Sequence, residues 1–341
     1  MLKSSLQHIS PKDKPWNQHK AENRKVGSIY AASDPHRKKA ERMHTCSGVL
    51  LFGEIADDQN GEISYRLLKS HFCRVRYCPI CQWRRSLLWR AKFYQALPSI
   101  LDANPTARFV FLTLTVKNCR VENLRETLQD MNKAWRRFTQ RKEFSSIKGW
   151  VRTTEVTKGE DDSAHPHFHC LLMVPSWYFG SGYVKKDEWA QAWQSCLRVD
   201  YTPIVDVRTV KQKKKEKSKE DIEQSKELPK SAIVETLKYS VKPSDMIDDP
   251  EWFITMSEQT HRMRFIATGG LFKDVLKPEE KITNEEMINL GDDKPQMELV
   301  RLVMRFLWED KAGEYLLEQA ILPGVEISGL RKSGLPPPTP D

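Results

Sequence analysis

The sequence predicts an α+β fold, and this prediction rests on three strand patterns and two helix patterns. Residues 109–116 (FVFLTLTV) are β-branched and aromatic, which is typical of a buried strand. Residues 149–157 and 168–174 are two further strand patterns, and the polar connection KGEDDS between them indicates a hairpin. Residues 122–141 have the spacing of an amphipathic helix, and residues 186–197 predict a Trp-rich helix.

The other predicted elements surround these five. They are strands at residues 49–55, 63–70 and 205–210, a basic helix at 82–97, and helices at 232–242, 251–266 and 297–320. Residues 1–40 are basic and lack sustained periodicity, which predicts a flexible arm. Residues 211–230 hold eight Lys and five acidic residues. They predict a solvated insertion, with contact to DNA as the alternative.

Charge is distributed unevenly along the 341 residues, whose net charge is +9. Residues 1–98 carry 18 Lys and Arg against 8 Asp and Glu, whereas residues 277–341 carry 8 against 13. The basic front region favours a polyanion such as DNA as partner. No segment approaches the roughly 20 apolar residues of a membrane span, and the N-terminal region has no secretory signal pattern. We therefore expect a cytoplasmic protein that does not act on membranes.

Three histidines lie within five residues, in His165-Pro166-His167-Phe168-His169. Because side chains alternate between the two faces of a strand, His167 and His169 are expected on one face and Phe168 on the other, in the core. Two imidazoles at this spacing form a compact pair of ligands for a divalent cation.

A third ligand is expected from the neighbouring predicted strand, where Glu155 is the carboxylate that can lie opposite the histidines. Two His and one Glu suit Mn²⁺ or Mg²⁺ and leave positions for water and phosphate oxygens. His165 has the same strand parity and is the alternative third ligand, although Pro166 is expected to interrupt regular pairing there.

Glu235, Tyr239 and Lys242 fall at i, i+4 and i+7, which places them on one face of the predicted helix 232–242. A tyrosine is a poor nucleophile at its unperturbed pKa of about 10. A divalent cation that polarises a phosphate would ease its attack. Glu235 is then a candidate for placing or deprotonating a water, and Lys242 for stabilising the charged phosphate or phenolate. Taken alone, a helical tyrosine is more often a packing residue.

A cluster of cysteines precedes the basic helix and supplies enough thiolates for a tetrahedral Zn²⁺. No acidic residue or general base accompanies the thiolates, so the predicted site is structural. His44 or His71 is the alternative to the first cysteine as fourth ligand. The predicted ligands are Cys46, Cys73, Cys78 and Cys81.

Arginine and aromatic residues interleave within this Cys-rich segment. That mixture suits phosphate contacts and base stacking, so the segment is a candidate surface for recognising DNA. The candidate DNA contacts are Arg74, Arg76, Trp83, Arg84 and Arg85.

Three ordered motifs resemble those of the HUH endonucleases: residues 111–115 (FLTLT), 165–169 (HPHFH) and 238–242 (KYSVK). Together with residues 73–85 and 269–273 (GGLFK), they resemble more narrowly the Rep initiators of small bacterial rolling-circle plasmids. The resemblance implies a central antiparallel sheet flanked by helices, the ferredoxin-like core of HUH nucleases.

Four regions are predicted on this basis, with the resemblance covering roughly residues 42–276. They are a basic flexible arm (1–40), a Cys-rich zinc module with a basic helix (41–98), an HUH endonuclease domain (99–276) and an acidic helical C-terminal region (277–341).

The resemblance also implies a metal-dependent nickase and strand transferase with one catalytic tyrosine. Tyr239 would attack single-stranded or extruded origin DNA, form a 5′-phosphotyrosyl link and leave a 3′-OH primer. His167 and His169 match the ligand positions of the family, and Glu155 its acidic ligand position. Glu235 matches the residue that directs hydrolysis at termination.

Other functions fit parts of the pattern. A conjugative relaxase usually places its tyrosine before the histidines, and a single-tyrosine transposase is typically shorter and lacks the cysteine module. A non-catalytic, zinc-containing DNA-binding regulator would explain the cysteines but not the His-Glu and Glu-Tyr-Lys groups. The expected partners are plasmid origin DNA, a host helicase with the replication machinery, and a second copy in a homodimer. The acidic C-terminal helix either mediates such contacts or packs on the protein itself.

Overall fold

The computed structural model describes residues 4–56, 61–210, 230–238, 240–276, 282–290 and 297–324. The chain divides into two compact units. Unit 1 contains residues 1–88 and 282–341, and unit 2 contains residues 89–281. The N-terminal and C-terminal segments therefore belong to one unit, although the sequence predicts them as separate regions. The predicted Lys-rich insertion at 211–230 lies outside the described residues, apart from Lys230.

The described residues form nine strands and eleven α-helices. The strands are β1 (Val49–Ala56), β2 (Ile63–Ser70), β3 (Arg108–Thr115), β4 (Gly149–Lys158), β5 (Ala164–Val174), β6 (Val205–Thr209), β7 (Ile266–Gly270), β8 (Val300–Glu309) and β9 (Glu314–Ile321). The helices are α1 (Leu6–Ile9), α2 (Pro15–Ala31), α3 (Arg37–His44), α4 (Pro79–Ala103), α5 (Leu124–Phe138), α6 (Lys186–Leu197), α7 (Lys230–Thr236), α8 (Pro243–Asp248), α9 (Pro250–Gln259), α10 (Lys273–Leu276) and α11 (Asn284–Ile288).

Unit 1 is built on an antiparallel sheet of order β2-β1-β8-β9. The prediction of a flexible arm at residues 1–40 is wrong, because α1, α2 and the first half of α3 lie there and Trp16, Val26 and Tyr30 are buried. The sequence does not show the helical periodicity of α2 because this helix also buries polar residues, including Lys20 and Asn23. Burial of polar side chains hides the apolar face on which helix prediction depends.

Residues 300–321 of unit 1 form a β-hairpin, so the predicted helix at 297–320 is wrong. Strands β8 and β9 pair through a turn in which Gly313 has a φ of +67°, a conformation that glycine adopts without strain. Met304 and Phe306 face the core at the two-residue spacing of a strand. Apolar residues also occupy the opposite parity, at Val303 and Leu307, and this blurred the alternation.

Unit 2 is built on a five-stranded antiparallel sheet of order β6-β3-β5-β4-β7. Helices α5 and α6 cover one face through a cluster of aromatic rings. Helix α7 lies against β4 on the other face, where the Thr153 hydroxyl donates to the Thr236 carbonyl at 2.7 Å. The prediction of an α+β protein with a central antiparallel sheet flanked by helices is confirmed. The aromatic cluster consists of Trp135, Phe138, Phe168, Trp189 and Trp193.

Two predicted helix ends differ from the structure. The helix predicted at 232–242 ends at Thr236, and the helix predicted at 251–266 ends at Gln259. Gly269 and Gly270 belong to β7. A side chain at Gly269 would collide with the Trp150 ring, and Gly270 has a φ of +57°. Close approach and a left-handed backbone therefore explain these two glycines.

Candidate metal centres

Glu155, His167 and His169 meet on one face of the unit 2 sheet. Glu155 on β4 is the direct cross-strand partner of His167 on β5. Its Oε2 atom lies 3.0 Å from His167 Nε2 and 2.7 Å from His169 Nε2. All three residues are buried, while Phe168 faces the aromatic core on the other side of the sheet, as strand alternation requires.

This geometry fits a divalent cation. One ligand atom from each of the three residues lies within 4.8 Å of the others. An octahedral ion with bonds of about 2.1 Å separates adjacent ligand atoms by about 3 Å, close to the two nitrogen–oxygen distances given above. Two imidazoles and one carboxylate would leave the remaining positions of such an ion for water or substrate oxygens.

His165 stands apart from this cluster. It lies on β5 opposite Thr157, and it is half-buried beside His167, with 5.3 Å between the ring centroids. Strand β5 includes Pro166, so the expected interruption of pairing at this proline is wrong. Burial and the neighbouring His167 lower the pKa of His165. Within the described residues, the possible metal-binding group on this sheet contains Glu155, His167 and His169, and His165 is not part of it.

Charge around Glu155 keeps this buried carboxylate ionised. Burial by itself would raise the pKa of Glu155, but hydrogen bonds with both histidines and the charge of Lys238 outweigh it and hold the pKa well below its ordinary value. The Lys238 ammonium lies 3.2 Å from Glu155 Oε2 and 2.7 Å from Glu235 Oε1. An ionised carboxylate is the form that binds a cation.

Lys238 and Thr113 belong to the site but were not predicted as site residues. The Thr113 hydroxyl lies 3.3 Å from His169 Nδ1, so it can fix the orientation of that ring. Both residues lie inside motifs that carry the resemblance, Thr113 in 111–115 and Lys238 in 238–242. Their place in these motifs was the one sign in the sequence that the two residues belong to the site. Sequence spacing could not show that either side chain reaches the cluster.

The predicted face of Glu235, Tyr239 and Lys242 is only partly seen. Glu235 lies exposed in the last turn of α7, paired with Lys238. Lys242 is exposed and immediately precedes α8, so it is not on a helical face with Glu235. Tyr239 lies outside the described residues.

The four clustered cysteines of unit 1 come together in a second group. Their sulfur atoms are buried, and three pairs lie 3.6–3.7 Å apart. Tetrahedral zinc with Zn–S bonds of about 2.3 Å has sulfur–sulfur edges of about 3.8 Å. The geometry therefore fits zinc, with Cys46 rather than His44 or His71 in the group. Its members are Cys46, Cys73, Cys78 and Cys81.

Helix α2 supports this cysteine group. The Asn23 amide donates to Cys78 Sγ at 3.2 Å, and the fully buried Lys20 ammonium donates to the Cys46 carbonyl at 2.5 Å. Burial lowers the pKa of Lys20 to about 8 against the opposing effect of the Cys46 thiol. The backbone N–H groups of Cys73 and Arg74 also point at cluster sulfurs, at 3.4 and 3.3 Å. Such donors stabilise thiolates.

Several of the predicted DNA contacts are used inside unit 1, where the Trp83 ring packs edge-on against Trp16 with 4.9 Å between the centroids. Arg84 is buried between Trp16 and Trp83, and it donates to the carbonyl of Met287 at 2.8 Å and to that of Ile288 at 3.1 Å. It is therefore a structural residue, which corrects the prediction of a surface contact.

Arg85 is half-buried and donates to the carbonyls of Cys81, Val75 and Arg76. Arg74 is exposed and donates to the Asn284 side-chain oxygen at 3.1 Å, and its contact with DNA stays a prediction.

The fold and the site define an α+β protein with a two-His, one-Glu cluster on an antiparallel sheet and a separate cluster of four cysteines. A family model described as "Replication protein" matches residues 64–316, about three quarters of the chain. The chain belongs to this replication protein family, which confirms the resemblance to Rep initiators.

Several curated relatives are similar over most of the chain. The "Protein rep" of Streptococcus pneumoniae is 33% identical over 84% of this chain and 87% of its own length. That of Lentilactobacillus hilgardii is 33% identical over 93% and 100%, and that of Bacillus amyloliquefaciens 34% identical over 80% and 78%. No solved structure matches the chain. Among the described helices, none combines the length and apolar character needed to cross a membrane.

Proposed function

We propose that this protein initiates rolling-circle replication of a plasmid by nicking one strand of the origin. The observation that carries the proposal is the convergence of Glu155, His167 and His169 on the sheet face against which α7 lies. A buried two-His, one-Glu group fits an ion that holds phosphate oxygens. Membership of the replication protein family supports the same conclusion.

The chemistry proposed is a transesterification. The phenol of Tyr239 gives up its proton to solvent as its oxygen forms a bond to the scissile phosphorus, the bond from phosphorus to the 3′ oxygen breaks, and the leaving oxygen takes up a proton from solvent. The products are a 5′-phosphotyrosyl link and a free 3′-OH that primes synthesis. The bound Mn²⁺ or Mg²⁺ would supply polarisation of the phosphate oxygens. Because the new phosphodiester keeps the energy of the old one, the strand can later be rejoined.

Contacts on both sides of Tyr239 support its assignment. Lys238 pairs with Glu155, and the Ser240 carbonyl accepts a hydrogen bond from the Val156 N–H at 3.0 Å. Both neighbours of the tyrosine in sequence thus contact the strand that carries the acidic ligand. Lys238 also links Glu235 to Glu155, and its positive charge suits a site that binds a phosphate.

The main test replaces the nucleophile. Tyr239→Phe should abolish an SDS-resistant adduct between the protein and labelled single-stranded oligonucleotides that tile the plasmid origin, in the presence of Mn²⁺, because phenylalanine has no attacking oxygen. Tyr183→Phe, at an exposed tyrosine, is the matched control and should form the adduct normally.

An adduct that survives in Tyr239→Phe would refute the assignment. Binding by the wild-type protein with no adduct at any origin oligonucleotide would favour the non-catalytic regulator. A relaxase or transposase would give an adduct, but not on the origin from which the plasmid replicates.

Glu235 is proposed to direct the water that releases the protein at termination. Glu235→Ala should still nick at the wild-type rate but should accumulate adduct, because hydrolysis loses its base, which typically contributes about 10²–10⁴-fold. The readout is the ratio of hydrolysed product to adduct over time. Since Lys238 bridges Glu235 and Glu155, the Mn²⁺ dependence of nicking is measured in parallel and should not change. Normal release by this variant would remove Glu235 from the mechanism.

A further inference from the structure

A basic pocket of about 600 Å³ opens between α5 and the edge of the unit 2 sheet formed by β4 and β7. It lies on the sheet face opposite the metal ligands, because Arg152 and Glu155 are three positions apart on β4 and so face opposite ways. None of its described lining residues is acidic. The lining includes Asn132, Lys133, Trp135, Arg136, Arg152 and Arg264.

Arg152 is the unusual member of this pocket, since a charged guanidinium is buried there with 3% of the residue exposed. It stacks 4.0 Å from the Phe168 ring centroid and 5.3 Å from that of Trp135, and it donates to the Asn132 amide oxygen at 2.8 Å. Burial lowers the pKa of Arg152 to about 10. A buried charge is costly unless an opposite charge compensates it.

Two hydrogen-bond donors of the pocket residues also lack an acceptor. Within the described part of the chain, Arg152 Nε and Trp135 Nε1 are both buried without a partner. Buried N–H groups are usually paired in folded proteins, so two unpaired donors on lining residues of one open pocket fit a ligand that offers hydrogen-bond acceptors. At the rim, Lys133, Arg136 and Arg264 are exposed, and Lys133 pairs with Asp130 at 2.9 Å.

We propose that the basic pocket binds a backbone phosphate of DNA. A phosphodiester carries a negative charge and oxygens that only accept hydrogen bonds, which matches a pocket of cationic and N–H donors. The proposal rests on the DNA-nicking function proposed above. Because the pocket and the metal ligands lie on opposite faces of the sheet, the phosphate bound here belongs to a different stretch of origin DNA from the one that is cut. The pocket positions the origin and takes no part in the chemistry.

The test removes the two exposed arginines of the rim, which leaves the buried Arg152 and the fold intact. The double variant Arg136→Ala/Arg264→Ala is compared with Arg120→Ala/Lys142→Ala, which removes the same charge from exposed positions outside the pocket. Binding of labelled origin DNA is measured by fluorescence anisotropy at several salt concentrations. Adduct formation at saturating DNA is measured alongside.

The pocket variant should bind DNA at least about tenfold more weakly. Its slope of log affinity against log salt should fall by about 1 to 2, because each lost phosphate contact removes about 0.9 on duplex DNA. The control should bind as the wild type does. Both variants should form adduct normally at saturating DNA. Failure of the wild-type protein to form any adduct would count against the nicking function and not against the pocket.

Equal affinity and equal salt slope in the two double variants would overturn the proposal. A second experiment uses inorganic phosphate as the ligand and measures how much it raises the melting temperature of each protein. If phosphate stabilises the wild type but not the pocket variant while DNA affinity is unchanged, the pocket takes a small anion and the DNA assignment is wrong.

Discussion

Glu155 shows how single residues determine the site. It lies opposite His167 because β4 and β5 pair in a register fixed by their buried apolar faces, and a shift of one residue would turn the carboxylate away. Strand alternation was therefore enough to predict Glu155, His167 and His169 from the sequence. Lys238 and Thr113 could not be predicted in the same way, since their roles depend on contacts between elements distant in sequence.

The arginines of residues 73–85 show what the sequence could not predict at the residue scale, namely which of them are buried. Arg74 and Arg84 stand in the same motif and look equivalent as candidates for contact with phosphate. In the structure one is exposed and the other is buried, where it satisfies two carbonyls of the turn that ends α11. Composition alone cannot separate a guanidinium that binds nucleic acid from one that completes a core.

Arg84→Met should therefore destabilise the protein and leave DNA binding by the folded fraction unchanged. We expect the free energy of unfolding to fall by about 2 kcal/mol, because each buried carbonyl left unpaired costs about 1–3 kcal/mol. Arg74→Met is the control and should change stability by no more than about 0.5 kcal/mol. Urea denaturation followed by tryptophan fluorescence measures both. A stable Arg84→Met protein with weakened DNA affinity would restore the surface role.

Helix α2 is the element at which the structure differs most from the prediction made from the sequence. It was expected to be part of a flexible arm, yet it supplies Lys20 and Asn23 to the cysteine cluster. A cluster of four thiolates around one Zn²⁺ carries a net negative charge of about two, and a buried ammonium offsets part of it. The polar residues that made α2 look unstructured are thus the ones that its position requires.

The hairpin of β8 and β9 shows why an element's type is harder to predict than its existence. The sequence correctly marks an ordered apolar segment near the C-terminus, but apolar residues on both faces fit a helix as well as a strand. Strand β8 pairs with β1, about 250 residues earlier in the chain. Such a pairing leaves no local pattern, whereas the hairpin of β4 and β5 was predictable from its short polar connection.

At the scale of the whole molecule, the chain keeps two kinds of metal ligand in two units. The four thiols all belong to unit 1, and the two-His, one-Glu group belongs to unit 2. Thiolates select zinc and close its coordination shell, whereas imidazole and carboxylate suit a harder ion with open positions. The separation would let the proposed structural zinc and the proposed catalytic ion bind without competition for ligands.

The two metals should accordingly be lost independently. Cys81→Ser should lower the zinc content measured by mass spectrometry of the purified protein and destabilise it, since structural zinc contributes about 10 kcal/mol or more in small zinc domains. Cys196→Ser is the matched control, a buried cysteine outside the cluster, and this variant should keep its zinc.

Glu155→Gln should keep zinc but bind Mn²⁺ at least about tenfold more weakly by electron paramagnetic resonance titration, because the neutral amide removes the one charged ligand. Zinc retained by Cys81→Ser, or unaltered Mn²⁺ affinity in Glu155→Gln, would contradict the corresponding assignment without touching the other.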